Sequence, residues 1–219
     1  CARCPVSSPI ESIPPQAHRS DPGASPRVLA ISNQKGGVGK TTTAVNLATA
    51  LAAVDKRVLI VDLDPQGNAS TSLGIPAKDR ATNTYHVLMG DAGLDEAAVL
   101  TKVPNLSIAP SGVDLAGAEL ELVDIENREK RLRSALSGSA TSYDYVLIDC
   151  PPSLGLLTLN AWVAADAVLV PLQVEFLALE GVSQLVKTIE RVRQSFNPTL
   201  EIQGIVLTMV DKRNNLSEM

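Results

Sequence analysis

The chain has 219 residues, 45% of them apolar, 20% charged and 3% aromatic, with a formal net charge of −5. That size suits one globular domain of roughly 100 to 200 residues, with or without a tail, and the charge excludes attachment to nucleic acid by bulk positive charge while leaving room for a local basic patch. The most apolar stretch, Pro151 to Ala165, falls short of the roughly 20 residues that span a bilayer, and three cysteines (Cys1, Cys4 and Cys150) cannot build a disulfide framework, which points to a reducing, cytoplasmic setting.

Along the chain, composition shifts near residue 26. The first 26 residues hold six of the 14 prolines and show no apolar periodicity, so residues 1–26 read as a disordered Pro-rich tail. Its CxxC, Cys1 and Cys4, lacks the further ligands that a structural zinc site needs. A chain that begins at Cys1 and ends soon after its last strand reads as a fragment, with 27–219 a C-terminally shortened domain. From Arg27 onward, short β-branched runs predict buried strands at Arg27–Ser32, Arg57–Val61, Leu106–Ala109, Tyr145–Ile148, Ala167–Val170 and Ile202–Thr208. Helix-sized stretches lie between them at Lys40–Val54, Leu115–Leu136, Leu154–Ala165 and Ala178–Phe196. This alternation predicts an α/β domain, a mostly parallel sheet with helices on both faces. Ligands in such folds sit beyond the carboxyl ends of the strands.

The loop after the first predicted strand reads SNQKGGVGKTTT, Ser32 to Thr43. Strand, glycine-rich turn and helix together are the setting of a phosphate-binding loop. Gly36, Gly37 and Gly39 let backbone N–H groups approach phosphate oxygens, and the following helix N-terminus adds its partial positive charge. Lys40 is placed for the β- and γ-phosphates, Thr41 for a Mg²⁺ ion and Thr42 for the α-phosphate. The spacing departs from GxxxxGK[ST], since Gln34 stands where the first glycine belongs and a second lysine, Lys35, precedes the glycines. That lysine is poorly placed to duplicate Lys40 on the same nucleotide, which suggests a role across a subunit boundary.

Two later strands end in acids. RVLIVDLDPQGN (57–68) brings Asp62 and Asp64 to the same side of an extended chain, and YVLIDCPPS (145–153) ends on Asp149. Either strand could supply the carboxylate that holds Mg²⁺, and spacing does not choose between them. Among the remaining features, Trp162 reads as core, His18 and His86 have no metal-ligand company, and the mixed charges between Glu119 and Arg133 read as an exposed helix laced with ion pairs.

KGGVGKT resembles the deviant Walker A motif of the MinD/ParA class of P-loop NTPases. NQKGGVGKTTTAVNLATALA, VDLDPQGNAST, DLAGAELELV, DCPPSLGLLTLNA and VEFLALEGVSQL, spanning about Arg27 to Met219, are together very similar to the chromosomal ParA (Soj) family. The resemblance implies an ATP and Mg²⁺ site formed by Lys35, Gly36, Gly37, Val38, Gly39, Lys40, Thr41 and Thr42. Lys35 would reach the phosphates bound by the other subunit of an ATP-sandwich homodimer, and Lys40 those of its own. Asp64 would orient the attacking water, Asp149 would hold the metal through water, and Asp62 would be a nearby site carboxylate with a metal role open to it. It further implies sequence-independent DNA binding, a ParB-type partner that stimulates hydrolysis, chromosome or plasmid partitioning, and a nucleoid-associated, cytoplasmic location without a membrane. A MinD-like membrane-cycling ATPase of division-site placement is the alternative, and a metabolic ligase of the same superfamily is a third. For the DNA step the sequence offers Lys187 and Arg191 at i, i+4 on Ala178–Phe196, with Arg193 close by, diluted by Glu180 and Glu190, and then Lys212 and Arg213.

Overall fold

The structure is a computed structural model that describes residues 25–139, 142–173 and 178–210, without the side chains of 178–180. Cys1, Cys4, His18, Lys212, Arg213 and nearly all of the expected tail lie outside the described residues.

Strands β1 (Arg27–Ile31), β2 (Val58–Asp62), β3 (Val99–Leu100), β4 (Leu106–Ala109), β5 (Tyr145–Asp149), β6 (Ala167–Gln173) and β7 (Glu201–Thr208) form one sheet in the order β3-β4-β2-β5-β1-β6-β7. All pairings are parallel except β3 with β4. Helices α1 (Lys40–Ala53), α2 (Asn68–Ser72), α3 (Thr84–Met89), α4 (Leu94–Ala97), α5 (Leu115–Glu121), α6 (Arg131–Ser139), α7 (Leu156–Ala164) and α8 (Ala178–Ser195) cover it.

Successive strand residues point to opposite faces, and the core divides accordingly. Val28 and Ala30 of β1 join Leu59, Val61, Val146 and Ile148 under α3 to α8. Leu29 and Ile31 join Ile60 and Leu147 under α1, whose buried stripe Ala44, Ala48 and Ala52 lets that helix lie close to the sheet. Trp162 is fully enclosed in the first of these clusters, as its sequence context suggests.

β7, expected as a buried strand, instead leaves Ile202, Ile205 and Leu207 40%, 50% and 58% exposed; the expected elements are otherwise present with three differences. Leu115–Leu136 is not one helix. α5 ends in a 3-10 turn, Leu122–Asp124, Ile125 is extended, and Asn127 takes a left-handed φ of 53° before a second turn and α6. The charges there serve tertiary contacts instead of intrahelical pairs: Arg131 donates to the Leu88 and Met89 carbonyls, and Glu121 accepts from the Tyr85 hydroxyl. Second, β3, α2, α3 and α4 are too short to show a period. Third, β6 continues to Gln173 through Pro171. This costs no ladder bond, because β1 pairs only as far as Leu169 and Pro171 lies beside β7 alone.

Candidate active site

β5 lies between β1 and β2, and in register both Ile31 and Asp62 stand opposite Asp149. The loop leaving β1 and the two acid-ended strands therefore meet at one edge of the sheet, where a cleft of about 490 Å³ opens. Gly36, Gly37, Gly39, Lys40, Thr41 and Thr42 form one wall, and Asp64, Gln66, Pro152 and Met209 contribute to the other side.

The loop takes its shape from local chemistry. Gly37 (φ 74°) and Gly39 (φ 87°) adopt the left-handed backbone that disfavours any side chain, and Gly39 directly precedes the first residue of α1. Three contacts hold the loop. Asn33 donates through Nδ2 to the Pro171 carbonyl (2.7 Å) and accepts from the Lys35 N–H (3.0 Å). At the far end of the loop, the Thr208 hydroxyl donates to the Val38 carbonyl (2.8 Å). Lys40 is 7% exposed and folds back so that Nζ donates to the Lys35 carbonyl (3.1 Å). Its pKa is lowered by burial, against the attraction of Asp149 and Asp64. Lys35 itself is exposed and is not part of the cleft wall.

The three aspartates have different surroundings. Asp62 is fully buried and its oxygens are committed: Oδ1 accepts from the Asp64 N–H (3.2 Å), and Oδ2 accepts from the Ser70 N–H (2.9 Å) and hydroxyl (2.6 Å). Burial raises its carboxyl to about 6 despite those bonds from Ser70 and Asp64. Asp64 faces the cleft and caps its own turn, accepting from the Gln66 N–H (3.0 Å). Asp149 is fully buried, and among the described residues neither of its carboxylate oxygens has a hydrogen-bond partner. Burial, reinforced by the Asp62 charge, raises it to about 7, with the nearby Thr41 hydroxyl and Lys40 acting in the other direction. The Cys150 thiol is enclosed and pushed far up by burial, so it stays a neutral packing group.

A buried carboxylate with no donor is costly in its ionised form unless a cation meets it. Asp149 with Thr41 thus fits a hard, largely hydrated divalent ion, which needs only one or two protein oxygens beside phosphate and water. Among the described residues no group of three His, Cys, Asp or Glu side chains could hold a metal on its own. Asp62, by contrast, already accepts three hydrogen bonds from Asp64 and Ser70.

Several supporting residues are invisible to motif reading. Ser70 also accepts from the Ser111 N–H (3.0 Å), tying the turn after β2 to the loop after β4. Arg80 donates to the Ile75 carbonyl (2.7 Å) and the Thr71 hydroxyl (2.9 Å) and covers Gly67. A Cβ on Gly67 would lie 2.5 Å from the Arg80 guanidinium at a φ of 60°. A polar run after an acidic strand end is the available sequence signal for Ser70, whereas Arg80 carries none.

The AAA domain family model matches residues 26–202. The chain is 62% identical over 194 residues to the chromosome partitioning protein ParA of Caulobacter vibrioides (strain NA1000 / CB15N), covering 88% of this chain and 73% of that protein. It is 52% identical over 190 residues to the sporulation initiation inhibitor protein Soj of Bacillus subtilis (strain 168), covering 87% and 75%. Among solved structures it is similar to cobyrinic acid a,c-diamide synthase from Mycobacterium smegmatis with bound ADP and magnesium, with a TM-score of 0.84, 46% identity and coverage of 88% and 78%. It is also similar to a plasmid partition protein from Borrelia burgdorferi, with a TM-score of 0.76, 27% identity and coverage of 89% and 83%.

Proposed function

Because the chain belongs to the ParA/Soj family of chromosome-partitioning proteins, we propose that it is an ATPase that dimerises on ATP, holds DNA without sequence preference and turns over when a ParB-type partner completes its site. The observation that carries the ATPase reading is the buried, unpartnered Asp149 carboxylate beside Lys40 and Thr41 at the mouth of a glycine loop. The solved relative with ADP and magnesium supports the same nucleotide and ion here. Mg²⁺ would be held by the Thr41 hydroxyl and, through water, by Asp149, and would neutralise charge on the β- and γ-phosphate oxygens.

Phosphoryl transfer asks for positioning and charge stabilisation more than for covalent chemistry. The N–H groups of Gly36 to Thr42 cradle the phosphates, and the Lys40 ammonium leaves the Lys35 carbonyl to meet them. Asp64, at the cleft wall and free of the ladder, orients the attacking water. Asp62 supports it from behind, because its Oδ1 fixes the Asp64 N–H and its Oδ2 fixes the start of α2. Lys35, exposed and outside its own cleft wall, serves the nucleotide of the second subunit. The ATPase unit comprises residues 27–219 and works at the nucleoid.

The test measures ATP turnover and DNA cosedimentation together. The reading expects DNA binding with ATP and Mg²⁺, none to anionic liposomes, and slow turnover that DNA and a ParB-type partner accelerate. Binding to liposomes in place of DNA would establish the MinD-like alternative. The likeness to an amide-forming synthase favours a second reading, in which ADP release depends stoichiometrically on a small acceptor; turnover without any acceptor rules it out.

A further inference from the structure

Helix α8 buries Leu185, Ile189 and Val192 against the sheet and the α7 side of the core. This stripe fixes what the opposite face presents: Ser183, Gln184, Lys187, Arg191 and Gln194 are all exposed. Ser183, Gln184, Lys187, Thr188 and Arg191 line a shallow polar hollow of about 320 Å³. Lys187 and Arg191 stand one turn apart, which places their side-chain roots about 5 to 6 Å from one another. Among the described residues neither takes part in an ion pair or side-chain hydrogen bond. Glu190, the one acid on α8 whose side chain is described, is occupied by Arg193 at 2.7 Å and so offsets that cation instead of these two.

We propose that this face of α8 is a phosphate-contact surface for the backbone of duplex DNA, with Lys187 and Arg191 as the charged contacts and the Gln184 amide as a neutral donor beside them, while the Thr188 hydroxyl donates to the Gln184 carbonyl (3.0 Å). The inference rests on the DNA-binding reading above and says where the contact is made. A chain with a net charge of −5 repels a polyanion on average, so contact must be local. Two outward cations with an amide donor beside them, and no aromatic group lining the hollow to stack on bases, match backbone contact without sequence readout. An extended anion suits the hollow better than an apolar ligand, because its walls are polar and its lining residues follow one another along α8.

The experiment compares the full chain with the Lys187→Ala/Arg191→Ala variant, using fluorescence anisotropy of a labelled random-sequence duplex with ATP and Mg²⁺ across a salt series. Each lost phosphate contact lowers the slope of log K against log salt by about 0.9. The variant should therefore lose about 2 from the slope per protomer and bind roughly tenfold to a hundredfold more weakly near 0.1 M salt. The loss should be equal for unrelated sequences, with ATP-dependent mass and basal turnover unchanged. Wild-type slope and affinity in the variant would overturn the assignment while leaving the DNA reading intact. A wild-type chain that binds no DNA would overturn both, and vesicles of anionic lipid retained by the wild type and lost by the variant would reassign the face to a membrane.

Discussion

Replacing Asp149 by Asn should make the nucleotide-free protein more stable in alkaline solution while abolishing its Mg²⁺-dependent turnover. Asp149 has a carboxyl value of 3.8 when unperturbed and about 7 in the fold, so between those limits the folded state binds the extra proton. The stability this group contributes is full below the unfolded value and is lost as pH rises through the folded one. At about 1.4 kcal/mol for each pH unit, the whole loss is about 4 kcal/mol, and about 2 to 3 kcal/mol of it falls between pH 5 and pH 8. Asparagine keeps the shape but has no charge to bury, and its own unsatisfied amide costs the same at every pH. Urea unfolding in EDTA, without nucleotide, should therefore show the variant gaining about 2 to 3 kcal/mol on the wild type between pH 5 and pH 8. Added ATP and Mg²⁺ should stabilise the wild type far more than the variant. A stability difference that is constant with pH would refute the reasoning, because it would mean that Asp149 is solvated or paired in the folded chain.

Other parts of the site give separate expectations. Thr208→Val removes the hydroxyl that anchors the Val38 carbonyl and should weaken ATP binding about threefold to tenfold, as a bond worth about 0.5 to 1.5 kcal/mol implies; calorimetric titration measures it. Ser70→Ala deletes a donor to buried Asp62 and an acceptor for the Ser111 N–H, so chemical denaturation should show a loss of about 1 to 3 kcal/mol. Asp64→Ala should leave ATP binding and dimerisation in place and lower kcat at least about a hundredfold, a result checked by phosphate release under single-turnover conditions.

The parts legible in the sequence are those with strong periodicity or a motif tied to backbone geometry. Five of the six strands that could be read are parallel strands whose covered faces become apolar runs, the sixth, β7, is apolar yet largely exposed, and the glycine loop could be read because only glycine suits Gly37 and Gly39. The different surroundings of Asp62, Asp64 and Asp149 were not legible from their spacing. They depend on which carboxylate Ser70 reaches from eight residues away and on β5 lying between β1 and β2. The break near Asn127 was hidden for a related reason: a mixed charge pattern suits one long helix, while Arg131 reaching the end of α3 is a tertiary event. Arg80 over Gly67 belongs to the same class of contact.

The central claim, a nucleotide site completed by a second subunit, is tested most directly by the mass of the chain in solution. Light scattering should show the wild type doubling in mass with ATP and Mg²⁺ and returning to monomer with ADP, whereas Lys35→Ala binds ATP and remains monomeric. A wild type whose mass does not change with ATP, or a Lys35→Ala variant that dimerises and hydrolyses as the wild type does, would contradict the account.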